Sequence, residues 1–378
     1  MARSPLTSAL ADRLARAQQA TADREIGALL LSPGADLRYL TGYGAMPLQR
    51  LTCLALPASG DPVLVVPLLE QPAALSSPVG DLGLAVLAWG ETDDPFALVA
   101  NILGSQTAGS RPRRVAVADR MWAEHLLRLS AALPGAEMSL AGEVLRELRM
   151  VKDAEEVAAL RRAGAAIDRV HARMGAWLRP GRTEAEVGRD IAEAMAVEGH
   201  TASTFQVVGS GPNGASPHHH LSDRVIETGD VVVVDIGGAM ADGYCSDSAR
   251  TYVAGGRPPE DLLAYYGVVQ RAQEAAVQAV RPGVPAEHID AVAREVIADA
   301  GYGQFFVHRT GHGIGLEEHE EPFIVAGNPQ PLAPGMSFSV EPGIYLPGRH
   351  GVRIEDIVVC TGEGAERLNA SPRDLVVL

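Results

Sequence analysis

The sequence predicts two domains in tandem: an α/β unit over residues 1–147, then an α+β unit over 148–378 whose two halves repeat each other. Three observations predict this. The 378 residues are about twice the usual length of one domain. Short apolar runs alternate with helical patterns as far as Met150, after which a long helical stretch begins and Gly, His and acidic residues become frequent. Arg179-Pro180-Gly181, followed by a helical pattern to Gly199, returns 102 residues later as Arg281-Pro282-Gly283, followed by one to Gly301. Such a repeat constrains architecture before any motif is read.

In the first domain Ile26–Leu31, Leu51–Leu56, Val63–Val66, Leu84–Leu87 and Val115–Ala118 read as strands, being short and rich in branched residues. The second domain opens with a helix expected over Asp153–Leu178. Thr183 with Glu186 forms a capping box that starts the next helix, and Pro285 serves the first turn of its counterpart. Thr228-Gly229-Asp230 leads into Val231–Val234 and Asp235, while Pro334-Gly335-Met336 leads into Ser337–Val340 and Glu341. A carboxylate is thus expected to close each strand, and a second follows in each half, Asp247 and Glu355. Two halves folded about an approximate two-fold axis would bring these four acids to one point.

Forty-seven acidic against 32 basic residues give a net charge of −15, which repels phosphate backbones and anionic membrane surfaces, so neither nucleic acid nor membrane is expected as a partner. The 47% hydrophobic and 21% charged residues are those of a soluble globular protein. Cys53, Cys245 and Cys360 stand alone, with neither a zinc spacing nor a disulfide framework, and residues 1–30 hold no uninterrupted apolar core. A cytoplasmic protein is expected.

Four carboxylates buried together would repel one another and protonate unless cations accompany them. Two divalent cations balance four negative charges. An oxygen-rich shell with one imidazole suits manganese, cobalt, iron or zinc. The imidazole is sought at His312, where Gly311 and Gly313 would let backbone approach a metal. Two cations about 3.5–4 Å apart bridge a water, lower its pKa and stabilise the oxyanion formed at a peptide carbonyl. Metal-assisted hydrolysis is the implied chemistry.

Other features are weaker. The run His218-His219-His220 reads as a polar loop when taken alone, and Cys245, two residues before Asp247, as a buried thiol. Gly209-Ser210-Gly211-Pro212-Asn213-Gly214 has a dinucleotide-site spacing, but Pro212 and Pro217 prevent the helix such a site needs. Arg353, two residues before Glu355, is expected on the same strand face, holding that carboxylate in orientation.

At these residues the sequence resembles the pita-bread metallopeptidases, the family of methionine aminopeptidase, aminopeptidase P and prolidase (Xaa-Pro dipeptidase). The resemblance is carried by Asp235-Ile236-Gly237-Gly238, Tyr244-Cys245-Ser246-Asp247, Gly311–Gly315, Val340-Glu341-Pro342-Gly343 and Arg353-Ile354-Glu355-Asp356. It implies a pita-bread fold for 148–378, with Asp235, Asp247, His312, Glu341 and Glu355 holding two metal ions, manganese foremost. Asp36–Gly42 looks like a turn of the N-terminal domain found in the creatinase and prolidase branch, which sets simple methionine aminopeptidases aside. Intact ligands set creatinase aside.

The resemblance further implies that His218 faces substrate, that His308 and His319 flank the metals as catalytic histidines, and that Glu341 doubles as the proton shuttle. Arg353 joins the substrate-facing set. Asp235 and Asp247 are twelve apart where the family often shows eleven, so a longer turn or bulge is expected in Gly237–Gly243. Several prolidases carry an arginine before the Pro-Gly turn to pair the substrate carboxylate. Here Gln330 stands there, and Arg50 is the expected substitute. The leading expectation is a homodimeric Xaa-Pro dipeptidase acting on dipeptides or short peptides. Aminopeptidase P, acting on longer chains, and a catalytically silent peptide-binding module are the alternatives.

Overall fold

The computed structural model describes residues 4–106 and 112–378. It divides into two compact units, Met1–Arg149 and Met150–Leu378. Among the described residues no helix is long and apolar enough to cross a membrane.

The first unit is built on a six-stranded sheet: β1 (Ala28–Leu31), β2 (Cys53–Pro57), β3 (Val63–Pro67), β4 (Ala85–Trp89), β5 (Arg114–Val117) and β6 (Glu137–Leu140), in the order β4-β3-β2-β1-β5-β6. β1 is apolar throughout and fully buried, as a central strand covered on both faces must be. The sequence did not signal β6. It is a four-residue edge strand, Glu137-Met138-Ser139-Leu140, with no buried residue and too short for its alternation to stand out. Asp36–Gly42 is helical, not a turn: a helix over Ala35–Thr41 ends on Gly42 at φ 70°, a left-handed C-cap that glycine adopts without strain.

The second unit begins with α1 (Ala154–His171), whose Asp153 and Glu156 form a capping box. The helix is shorter than expected and passes into a 3-10 turn at Met174–Ala176. Its last side chain, His171, turns inward to Tyr252 Oη (2.9 Å) and Ser248 O (3.1 Å). α2 (Glu184–Val197) starts on the Thr183/Glu186 box, α3 spans Leu262–Ala279, and α4 (Ala286–Asp299) starts on Pro285.

The repeat is visible in hydrogen bonds. Gly181 N donates to Ile226 O and Gly283 N to Leu332 O, both at 2.8 Å; Ile226 N donates to Arg182 O and Leu332 N to Val284 O, again at 2.8 Å. Both Pro-Gly glycines are left-handed, at φ 89° and 84°.

β7 (His200–Ser210), β8 (Val231–Met240) and β9 (Cys245–Val253) form antiparallel pairs, joined by β17 (Val376–Val377) beside β9. β10 (Gly311–Gly313), β11 (Glu320–Ile324), β12 (Ser337–Val340), β15 (Asp356–Cys360) and β16 (Ala365–Arg367) form the second sheet, and β13 (Gly343–Leu346) with β14 (His350–Arg353) a separate hairpin. Alternation along β8 divides the apolar core. Val232, Val234 and Ile236 pack with Ile167 and Val170 of α1 and Val187 and Ile191 of α2, whereas Val231 joins Phe338, Val340 and Val358 over α3 and α4.

Candidate metal centre

The five expected ligands converge, all buried. Asp235 lies within β8, which runs on through Gly237 and Gly238 to Met240, so only Glu341 closes its strand as expected. Asp235 pairs with Ala249 and Gly237 with Asp247, which puts the two aspartates diagonally on one face. The spacing of twelve is absorbed by a four-residue connection, Ala241-Asp242-Gly243-Tyr244, with Gly243 at φ 91° and no irregularity in the β8–β9 register. In the second sheet Val340 pairs with Asp356, so Glu341 and Glu355 are the next positions off the end of that ladder. Glu355 N donates to Ala249 O at 3.0 Å, tying the two halves together at their carboxylates.

His312 enters from β10. Its Nδ1 lies 3.1 Å from Gly313 O; a carbonyl only accepts, so Nδ1 carries a proton, and Nε2 faces the acids, where it hydrogen-bonds Glu341 when protonated and offers a lone pair to a cation when not. Nε2 lies 3.3 Å from Glu341 Oε1 and 3.6 Å from Asp247 Oδ2. The flanking glycines have another purpose than the one expected. A Cβ on Gly311 would meet Ser339 O at 1.9 Å and one on Gly313 would meet Glu321 O at 2.3 Å, so both are required by strand packing.

Burial raises Asp235 above the usual carboxylate range, partly offset by Arg353; it raises Asp247 well above that range, with the charges of Asp235 and Glu341 adding, and Glu355 likewise, with those of Asp247, Glu341 and Asp235 adding. Burial would raise Glu341 too, but its hydrogen bond to His312 and the charges of His312, His308 and Arg353 hold it at about 2. Asp235 Oδ1, Asp247 Oδ1 and Glu355 Oε2 are buried without a hydrogen-bond partner. Donor atoms of Asp247, His312 and Glu355 lie within 4.8 Å of one another. Orphaned carboxylate oxygens around an imidazole lone pair fit divalent cations.

Arg353 is buried but does not pair with Glu355 as expected: Nη1 lies 3.2 Å from Asp235 Oδ2 and Nη2 donates to Pro217 O at 2.7 Å. β14 ends at Arg353, so the strand alternation that would align it with Glu355 stops there.

The histidines separate by environment. His319 stands edge-on to His312 at 3.9 Å between centroids, and desolvation with the charges of His312 and Arg309 brings it down to about 4. His308 also falls to about 4, mainly through burial. Its Nδ1 donates to Arg309 O (2.7 Å) and its Nε2 accepts from Tyr345 Oη (2.8 Å), so it offers a ring face and no free nitrogen. His218 is exposed, near enough to contribute to lowering both. His219 turns away to Glu184 (2.7 Å). Cys245 is buried and its thiol is pushed up. Arg50, in the first unit, pairs with Glu91 at 2.9 Å.

Sequence reasoning missed Glu184. It accepts from Ser210 N (2.8 Å), Ser210 Oγ (2.7 Å), Asn213 Nδ2 (3.1 Å), His219 Nε2 and Ser222 Oγ, and so gathers the segment that carries His218. In sequence it is one more acid in a helix's first turn, which gives no signal of burial. Tyr345 and the buried Lys152–Glu320 pair were missed likewise. The Gly-x-Gly-x-x-Gly stretch forms a 3-10 turn at Gly211–Ala215 with no α-helix after it. Glu184→Ala is expected to leave several buried donors unpaired, at about 3 kcal/mol or more, and to lower the melting temperature by roughly 5–10 °C. An unchanged melting temperature would show that the loop holds itself.

The profile of metallopeptidase family M24 matches residues 158–362, and that of the creatinase/prolidase N-terminal domain matches residues 13–151. The chain is 55% identical over 368 residues to a probable dipeptidase PepE of Mycobacterium tuberculosis, covering 97% of this chain and 96% of that one. It is 34% identical to an Xaa-Pro dipeptidase of Lactobacillus helveticus, covering 97% and 98%. The crystal structure of dipeptidase PepE from Mycobacterium ulcerans superposes with a TM-score of 0.91 at 56% identity, covering 100% of this chain and 99% of that one.

Proposed function

Because this chain belongs to metallopeptidase family M24, we propose that it is an Xaa-Pro dipeptidase that hydrolyses the bond between an N-terminal residue and a C-terminal proline. The observation that carries the reading is the buried cluster in which Asp247, His312 and Glu355 bring donor atoms within 4.8 Å, beside Asp235 and Glu341. It is a metal-dependent peptidase with the pita-bread fold, and end-to-end relatives named as dipeptidases favour dipeptides over longer chains.

Asp235, Asp247, His312, Glu341 and Glu355 would hold two divalent ions, manganese foremost given the hard oxygen shell. Such ions supply a water of lowered pKa and polarise the scissile carbonyl. Glu341 takes the proton from the attacking water and returns it to the proline nitrogen. His319, neutral at working pH, donates an N–H to the developing oxyanion. His308 and His218 line the substrate side, and Arg353 fixes Asp235. The imide nitrogen carries no N–H, so a site with no acceptor there accepts proline at no cost, while other residues fill the ring pocket badly. The acidic centre receives the substrate ammonium. A homodimer in the cytoplasm completes the reading; the three buried free thiols suit a reducing compartment.

The test is cleavage of Ala-Pro against Ala-Pro-Ala by metal-stripped protein before and after manganese, with Glu341→Ala as control. Manganese-restored cleavage of Ala-Pro alone is expected. Preference for the tripeptide would make it an aminopeptidase P, and inactivity on both a peptide-binding module.

A further inference from the structure

Resting on the dipeptidase reading, we propose that Arg309 receives the C-terminal carboxylate of the substrate and thereby confines the enzyme to dipeptides. Arg309 follows His308 directly, and its carbonyl accepts the His308 Nδ1 proton. Its guanidinium lies 4.3 Å over the Phe323 ring, half-buried. Among the described residues it makes no ion pair and no side-chain hydrogen bond. A guanidinium carries five N–H donors in a planar fork matched to a carboxylate, and stacking on an aromatic face orders it without using any of them.

The other cations of this region are committed. Arg353 is held by Asp235 and Pro217 O, Arg294 by Asp290 and the carbonyls of Phe306 and His308, and Arg224 by Asp230. The Gln330 amide donates to its neighbour Pro331 O. In the first unit, Arg50 is paired with Glu91. Arg309 also adjoins the histidine side of the metal centre, since its charge is among the causes that lower His319.

A dipeptide is a zwitterion. The carboxylate cluster attracts its ammonium, which leaves its carboxylate to be met away from the cluster, and Arg309, next to His308 in the chain, is the guanidinium whose donors are left to meet it. A longer peptide presents an amide there and leaves the guanidinium unpaired, a penalty that discriminates by chain length.

The test compares Ala-Pro with Ala-Pro-amide in the manganese-loaded enzyme and in Arg309→Ala, Arg309→Gln and Arg309→Lys. Arg309→Gln keeps a planar group over Phe323 and guards against misfolding. Arg309→Ala and Arg309→Gln are expected to raise KM for Ala-Pro by about ten- to a hundred-fold with kcat little changed, and to leave Ala-Pro-amide unaffected. Arg309→Lys should fall between, as a charge without the fork. Calorimetric binding of proline against prolinamide reads the same contact without turnover. Wild type should prefer proline, and the preference should vanish in Arg309→Gln. Parallel losses on both substrates, or a selective loss in Arg50→Ala instead, would overturn the assignment. A wild type that binds proline through Arg309 yet cleaves nothing would refute the dipeptidase reading and leave this contact standing.

Discussion

Glu341→Ala is expected to lower kcat for Ala-Pro by about a thousand-fold or more, within the range that a positioned acid–base group contributes. Glu341 Oε1 lies 3.3 Å from His312 Nε2 and 3.1 Å from Ser339 Oγ, and its carboxyl is held at about 2, so the group is ionised and ready to accept a proton throughout the neutral range. On the proposed mechanism, alanine removes both a donor to the cations and the group that moves the proton. Saturating manganese separates the two losses: metal content measured by elemental analysis should recover while kcat does not. Recovery of kcat to within about ten-fold of wild type at full occupancy would remove Glu341 from proton transfer.

The second large effect is on stability. Stripping the metal is expected to lower the melting temperature by on the order of 10 °C, as loss of a ligand present at a thousand times its Kd costs about 4 kcal/mol. The deficit should widen between pH 5.5 and 7.5. Asp247 and Glu355 have folded pKa values raised well above the unfolded carboxylate range. Such groups favour the metal-free fold fully below the unfolded pKa of about 4, and that contribution is lost as pH rises through the raised values. Cations relieve the resulting repulsion, so the metal-loaded and stripped curves diverge with pH. Calorimetry of both forms at the two pH values measures this. A gap that stays constant or narrows would mean that these carboxylates are not what the metal neutralises.

The duplication made the site legible. A carboxylate placed after the same turn in each half, as Asp235 and Glu341 are, marks two positions that one two-fold axis can bring together. What escaped depends on tertiary partners that leave no periodic trace. Glu184 is an ordinary first-turn acid until the 210–222 segment folds onto it. Arg353 was placed beside Glu355 by strand alternation, but the strand ends at Arg353 and the guanidinium swings to Asp235. Gly311 and Gly313 looked like metal-site glycines because their neighbour is one of the expected ligands; the backbone of Ser339 and Glu321 is what excludes a Cβ. β6 was invisible because a four-residue edge strand is too short for its alternation to stand out.

The bond from Glu355 N to Ala249 O, which joins the two halves at their carboxylates, also sets a schedule. As the chain leaves the ribosome, Asp235 and Asp247 emerge first, His312 follows about 65 residues after Asp247, and Glu355 about 108 after it, so the set is completed some 5–20 seconds later at ordinary rates of synthesis. Through that interval the nascent half-domain exposes two acids that can grip a cation only weakly. With the proposed ligand set, metal acquisition would therefore be a closing event of biosynthesis, and what the finished chain meets in the cell would choose the ion.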